Sequence, residues 1–192
     1  MPELVLASAS PRRREILETL RIAFRVRASA VPEDVREGEA PRAIARRRAG
    51  DKALEVSNDE GRAFVLGADT IVVADDQVLG KPRDDRDAER MIARLSGRWH
   101  EVITGVALAK DGALLEAIDV VTKVCFRALD EATVRAYVAS GEGRDKAGAY
   151  AVQGLGAGLV CAIEGSYGNV VGLPAVETLA LLQRHGAIEA WP

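Results

Sequence analysis

Residues 4–20, LVLASASPRRREILETL, set a short apolar run against a Ser-Pro step and a cluster of arginines. Leu4 to Ala7 has the length and composition of a short buried strand. Ser10 then stands at an N-cap with Pro11 at the first helical position, and Ile16, Leu17 and Leu20 supply the apolar stripe of the helix that follows. A strand running straight into a helix gathers free backbone N–H groups and the positive end of the helix dipole at one point. Ser8 and Ser10 add hydroxyl donors there, and Arg12 and Arg13 add guanidinium forks suited to phosphate oxygens. The plainer alternative is an N-cap with solvated arginines. It accounts for Ser10 and Pro11, but not for positive side chains at the helix end that disfavours them.

Working outward, residues 22–27 (IAFRVR) read as a second strand with Ile22, Phe24 and Val26 on one face, and a polar loop covers 28–39. Pro41 opens a helix to about Val56, on which Ala45, Ala49 and Ala53 form a thin packing face beside a row of Ile44, Arg48 and Lys52. The segment 63–76, AFVLGADTIVVADD, is strand-like and is expected to be interrupted at Gly67-Ala68-Asp69. A helix is expected over 85–95, stopped at Gly97, and a β-hairpin over 101–109 and 113–126 across Asp111-Gly112. Asp130 caps a helix ending near Gly141, and 157–163 is a strand. Leu173-Pro174 opens the last helix, with Val176, Leu179, Ala180 and Leu182 facing inward. Hairpins and strand–helix units together imply an α/β fold with a mixed sheet.

The chain has 192 residues, 48% of them hydrophobic and 29% charged, which suits one globular domain over 1–192. With aromatics at 4%, the core is built mainly from Val, Leu, Ile and Ala. The formal charge of −3 argues against a large nucleic-acid footprint or an anionic membrane partner. Residues 11–52 nevertheless carry a local +5 and residues 53–97 a local −4. That asymmetry suits an anionic ligand held on one side and a metal on the other, or simply solvated helix faces. Cys125 and Cys161 sit in apolar runs and read as small buried hydrophobes, with no Cys-x-x-Cys and no disulfide framework. The N-terminus lacks a signal-peptide pattern and no apolar stretch is long enough to span a bilayer, so a reducing cytosol is the expected setting.

Asp69 is the strongest single candidate for chemistry, a carboxylate expected at the end of a strand, within a mostly apolar stretch where it is costly to bury without a partner. Behind Gly67 it can bind a divalent cation or take a proton from water, or instead pin a turn through backbone N–H groups. Glu33 offers a second carboxylate. Lys52 and Lys81 are ordinary surface lysines taken singly, but a polyphosphate held with a metal needs several cations. Asp145, Lys146 and Gln153 form a polar patch in a Gly/Ala-rich loop, where Gln153 can read a base edge or bond to backbone. The GLGAG at 154–158 fails the dinucleotide fingerprint and suits a tight turn, and no Walker A loop exists. His100 and His185 stand alone, and nucleophilic catalysis and zinc are both unsupported.

Taken together, LASASPRRREIL at 6–17, GADT at 67–70, LGKP at 79–82, LSGRWHEVITG at 95–105, DKAGAYAVQG at 145–154 and GSYGNVVGLPAVET at 165–178 resemble the Maf family of nucleoside triphosphate pyrophosphatases. The resemblance covers essentially residues 4–182. It implies a mixed central sheet flanked by helices in an α/β/α arrangement, with an active cleft between two lobes. It implies hydrolysis of a nucleoside triphosphate to the monophosphate and pyrophosphate with Mg²⁺ or Mn²⁺, by attack of water on the α-phosphorus. Asp69 matches the family's proton acceptor, and Arg12, Thr70 and Gln153 match positions that govern substrate choice. Ser8, Arg13, Glu33, Lys52 and Lys81 match polar residues lining the cleft. In these terms Ser8, Ser10, Arg13, Lys52 and Lys81 bind phosphate, while Glu33 and Asp69 hold the metal. The motifs look like the dTTP/UTP branch and unlike the branch acting on 7-methyl-GTP, and a homodimer is an implied assembly. One departure is Arg48, where the family usually has Leu.

Two rival functions use the same ingredients. One is a phosphohydrolase releasing the γ-phosphate; the other is a non-enzymatic nucleotide- or nucleic-acid-binding regulator of cell division, supported only by the basic segment 11–52.

Overall fold

Alternation along the first strand decides which helix covers which face of the sheet. In the computed structural model, which describes residues 3–34, 36, 38–189 and 191, β1 (Leu4–Leu6) is buried throughout. Leu4 and Leu6 enter one apolar cluster with Leu17 of α1 (Pro11–Thr19) and with Leu181 and Leu182 of α6 (Ala175–Arg184). Val5 and Ala7 enter another with Ala49, Ala53 and Val56 of α2 (Pro41–Ser57). The next strand, β3 (Phe64–Ala74), repeats the pattern, with Phe64, Leu66 and Ala68 on the first side and Val65 on the second. A sheet with helices on both faces follows from this period-two alternation.

The remaining strands are β2 (Arg25–Val26), β4 (Gln77–Leu79), β5 (Trp99–Lys110), β6 (Ala113–Phe126) and β7 (Val160–Glu164). Their order is β2-β1-β3-β5-β6-β7, with β4 added on β3. β1 runs parallel to both β2 and β3, in register from Leu4 opposite Phe64 to Leu6 opposite Leu66. The β3–β4 and β6–β7 pairs are antiparallel, so the sheet is mixed as expected. The chain forms two compact units, one of Met1–Asp69, Thr104–Val120 and Gly172–Pro192 and one of Thr70–Ile103 and Val121–Val171.

In the first unit α2 lies unusually close to the strands. Ala45, Ala49 and Ala53 are fully buried. A Cβ added at Gly67 of β3 would stand 2.2 Å from the Ala49 carbonyl oxygen, and one at Gly105 of β5 would stand 2.1 Å from that of Ala45. Small residues on both partners set this distance, because anything larger forces the backbones apart.

In the second unit α3 (Asp85–Leu95) and α4 (Glu131–Ala139) begin at Asp84 and Asp130, whose carboxylates accept from Asp87 N and Thr133 N at 2.7 Å each. Ile92, Leu95, Val102, Val124, Phe126, Val134 and Val138 build its core. His100, Phe126 and Tyr150 pack edge to face there, and His100 Nε2 pairs with Tyr150 Oη at 2.8 Å.

Several expectations change. β3 is not interrupted at Gly67-Ala68-Asp69 but runs unbroken from Phe64 to Ala74, because Gly67 serves the approach of α2 rather than a turn. The strand at 22–27 shrinks to two residues; Ile22 joins the core while Val26 is exposed. In α6, Leu182 is buried, but Val176 and Ala180 face solvent. Residues 154–158 form a tight 3₁₀ turn, as their glycines suggest, so β7 starts at Val160 rather than at residue 157. Cys125 is only partly buried and Cys161 is exposed, so neither is a core hydrophobe. The hairpin β3–β4, turned by Asp75 and Asp76 at positive φ, and α5 (Tyr167–Val171) were not anticipated. The polar loop 28–39 has no regular structure at its described positions, and Val35 and Glu37 lie outside the described residues.

Candidate functional site

Asp69 follows Val65 and Gly67 at period two, so it shares the face of β3 that α2 covers. It is buried at 3% exposure, a position that demands compensation. Lys52, also buried, supplies it from α2: Nζ donates to Asp69 Oδ1 at 2.6 Å and to Glu33 Oε1 at 2.9 Å. One turn earlier, Arg48 Nη1 lies 3.5 Å from Asp69 Oδ2. That second oxygen accepts no hydrogen bond among the described residues. A buried carboxylate thus has one oxygen held by an ammonium and the other available as an acceptor.

The start of α1 builds the second half of the cluster. Ser10 occupies the N-cap, yet its side chain makes no cap hydrogen bond. Its N–H donates instead to Ser8 Oγ at 3.2 Å, and Arg13 Nη1 donates to the same oxygen at 3.0 Å. Arg13 Nε donates to the Gly172 carbonyl at 2.9 Å, which ties α1 to the residue before Leu173. Burial lowers the pKa of the Arg13 guanidinium, the carboxylates of Asp69 and then Glu33 oppose that, and Arg12 adds to the lowering. Arg13 and the two carboxylates therefore lie within electrostatic reach of each other. Arg12 Nε is buried with no hydrogen-bond partner among the described residues. The first turn of α1 contains no acidic residue, so its arginines oppose the dipole unless an anion is bound between them.

Of the residues singled out in the sequence, Ser8, Ser10 and Arg13 are joined by hydrogen bonds, and Glu33 and Asp69 are joined through Lys52. Asp69 lies inside a strand, not at a strand end, and the backbone that approaches behind Gly67 is α2 rather than a ligand. Thr70, Lys81 and Gln153 belong to the second unit. Thr70 is half-buried next to Asp69 in β3, Lys81 is exposed after β4, and Gln153 is exposed at the start of the 3₁₀ turn Gly154–Gly158. That turn is clamped by Glu142, whose carboxylate accepts from Leu155 N and Gly156 N at 2.8 Å each and from Tyr137 Oη at 3.1 Å. Arg48, the departure from the family's usual Leu, shares the site, and its place one turn from Lys52 is the signal for it.

Among the described residues no three His, Cys, Asp or Glu side chains gather into a metal-binding group. Mg²⁺ and Mn²⁺ need less from the protein when phosphates and waters complete the shell, and one or two carboxylates suffice. The hard oxygens of Asp69 and Glu33, one Asp69 oxygen lacking a hydrogen bond, fit such an ion.

The fold is thus an α/β one in which a buried acid lies within electrostatic reach of a basic helix start. The model of Maf-like proteins matches residues 3–185, and the chain belongs to that family. It is 52% identical to the dTTP/UTP pyrophosphatase of Myxococcus xanthus, over 98% of this chain and 95% of that protein. A dTTP/UTP pyrophosphatase of Geobacter metallireducens is likewise 52% identical over 98% and 100%. One from Geotalea uraniireducens is 49% identical over 97% and 96%.

Proposed function

We propose that this chain is a nucleoside triphosphate pyrophosphatase that hydrolyses dTTP and UTP to the nucleoside monophosphate and pyrophosphate. The observation that carries the reading is Asp69, buried in β3 with Oδ1 on Lys52 and Oδ2 without a hydrogen bond among the described residues. Near-full-length identity of about half to proteins bearing that activity in their names supports the substrate.

Asp69 Oδ2 orients a water and accepts its proton as the oxygen attacks the α-phosphorus. The bond from that phosphorus to the bridging oxygen breaks, and its electron pair leaves with pyrophosphate. Arg12, Arg13 and the N–H groups that open α1 stabilise the charge that moves onto the departing group, so no strong protein acid is required. Lys52, donating to Asp69 Oδ1, keeps the carboxylate aimed. Asp69 and Glu33 would hold a Mg²⁺ or Mn²⁺ ion, which when bound supplies further neutralisation of phosphate charge. Arg12 is proposed to bias substrate choice from the first unit. Thr70 and Gln153 for base preference, and Lys81 for phosphate, are proposals on sequence grounds, each open to its own substitution.

The chain is further read as a cytoplasmic protein whose free thiols suit a reducing compartment, with no stable nucleic-acid partner and a homodimer to be sought by sedimentation. Among the described residues no helix is long and apolar enough to cross a membrane. The decisive experiment incubates the protein with canonical and modified triphosphates and Mg²⁺ or Mn²⁺ and identifies the products. Pyrophosphate with UMP or dTMP is expected. Inorganic phosphate with a diphosphate would make it a γ-phosphohydrolase, and absence of turnover together with salt-sensitive DNA or RNA binding would favour the regulator.

A further inference from the structure

Arg48 is buried at 8% exposure, and its guanidinium is used from every side. Nε donates to the Asp34 carbonyl at 2.9 Å, Nη2 donates to the Glu33 carbonyl at 2.8 Å, and Nη1 stands 3.5 Å from Asp69 Oδ2. The two carbonyls belong to the loop over 28–39, whose described positions form no helix or strand. A loop of that kind samples many conformations unless something holds it. The neighbouring Arg47 also grips the loop, but through the carboxylates of Glu39 at 2.8 Å and Asp34 at 2.9 Å and the Asp34 carbonyl at 3.2 Å, and its ion pairs among the described residues are with Asp34, Glu39 and Asp51. Arg48 links the backbone of Glu33 to the acid in β3. A planar fork with fixed donor directions can do this, whereas a lysine at the same position is a point charge.

We propose that Arg48 is a positioning residue of the hydrolytic site: it fastens the Glu33–Asp34 backbone to α2 and thereby sets the Glu33 carboxylate on Lys52 beside Asp69. The assignment rests on the reading of Glu33 and Asp69 as working residues of a triphosphate pyrophosphatase. It adds a residue that packing alone would fill with an apolar side chain, and it explains why this buried arginine spends two donors on carbonyls of one loop. The expected consequence is a site whose second carboxylate is held in place before substrate arrives.

The test is a double-mutant cycle on kcat and KM with UTP and Mg²⁺, using Arg48→Met, Glu33→Gln and the pair, with Arg47→Met as the control for loosening the loop. Arg48→Met is expected to lower kcat/KM by about tenfold, within the coupling range of groups that share a hydrogen-bond network. In the Glu33→Gln background the same change should cost less than twofold, and hydrogen exchange at residues 30–34 should accelerate in Arg48→Met. Arg47→Met should leave kcat within about threefold of the parent protein, at the small end of that coupling range. Arg48→Lys retains a cation beside Asp69 but not the fork, so it remains informative if Arg48→Met fails to fold; its kcat/KM should also fall. Full activity of Arg48→Met or of Arg48→Lys overturns the assignment, as does a multiplicative loss in the double variant or an equal loss in Arg47→Met. Full activity of Glu33→Gln would remove Glu33 from the proposed function and this inference with it. A normal Arg48 variant beside an impaired Glu33→Gln would overturn the inference alone.

Discussion

The two units keep polar groups in their interiors in different ways. In the first, Arg48, Lys52 and Asp69 are charged, buried and packed on a face lined by Ala45, Ala49, Ala53 and Gly67, and Asp69 Oδ2 is left without a hydrogen bond among the described residues. In the second, Asn169 Nδ2 donates to the Val102 carbonyl at 3.0 Å and to Thr122 Oγ1 at 2.9 Å, and His100 pairs with Tyr150 among aromatic rings. Buried ions gain little net stability over apolar packing, because desolvation offsets their attraction. The second unit also leaves a buried atom, His100 Nδ1, without a hydrogen bond among the described residues, but its buried groups are neutral and carry no ionic desolvation penalty. The first arrangement therefore makes sense as preparation for a ligand, the second as architecture.

Breaking the first arrangement at its acid should give the largest effect. Asp69→Asn is expected to keep the fold and most triphosphate binding but lower kcat by about 10²–10⁴, the range for losing an acid–base group. Retained turnover with UTP would take Asp69 out of the proton-acceptor role. Arg12→Ala, by contrast, should act mainly on KM and on the ratio of rates among nucleotides, and an equal loss on all of them would mean that it senses phosphate only.

Acid should distinguish the units next. Desolvation pushes His100 down to about 4. Between pH 6.5 and 4 the unfolded chain therefore binds a proton that the folded one does not, so stability is fully present above about pH 6.5 and falls as pH drops through this window, by roughly 3 kcal/mol if the whole shift is realised. Denaturant unfolding at several pH values should show that slope. His100→Gln, which cannot titrate, should flatten it, and an unchanged slope would assign the acid sensitivity elsewhere.

Smaller effects sharpen the contrast. Gly67→Ala places a methyl 2.2 Å from the Ala49 carbonyl oxygen, which should cost about 1–3 kcal/mol of stability as α2 is pushed away. Because α2 carries both Lys52 and Arg48, kcat should fall too, whereas a purely architectural glycine would change the melting temperature alone. Glu142→Ala in the second unit removes the acceptor of Leu155 N and Gly156 N. Loss of about 1–2 kcal/mol is expected, with faster hydrogen exchange at Leu155 and Gly156. A shift in UTP-to-CTP preference in this variant would connect the clamp to Gln153; an unshifted ratio would leave it structural.

Local chemistry made much of this legible in advance. The Ser-Pro helix start, the Asp84 and Asp130 caps, the Asp111-Gly112 turn, with both residues at positive φ, and the alanine row of α2 all follow from neighbours in the chain. The misreadings share one cause. Gly67 looked like a turn residue because a glycine next to an acid usually signals a bend, yet its reason is a helix contributed by residues 41–57. Val26 and Val176 looked inward because alternation and helical period describe only faces, and which face is covered depends on partners remote in sequence.

The amino-acid order by itself determined most of the element types, the family motifs and the inventory of acids and cations, since each depends on side-chain period or on adjacent residues. Only the tertiary structure decided that Lys52 bridges Glu33 and Asp69, that Arg13 is tied to Gly172 and that Arg48 belongs with Asp69 rather than with packing. Those contacts join residues 17 to 159 positions apart, and the direction in which a long charged side chain turns is set by the nearest group able to offset its burial, which no local pattern records.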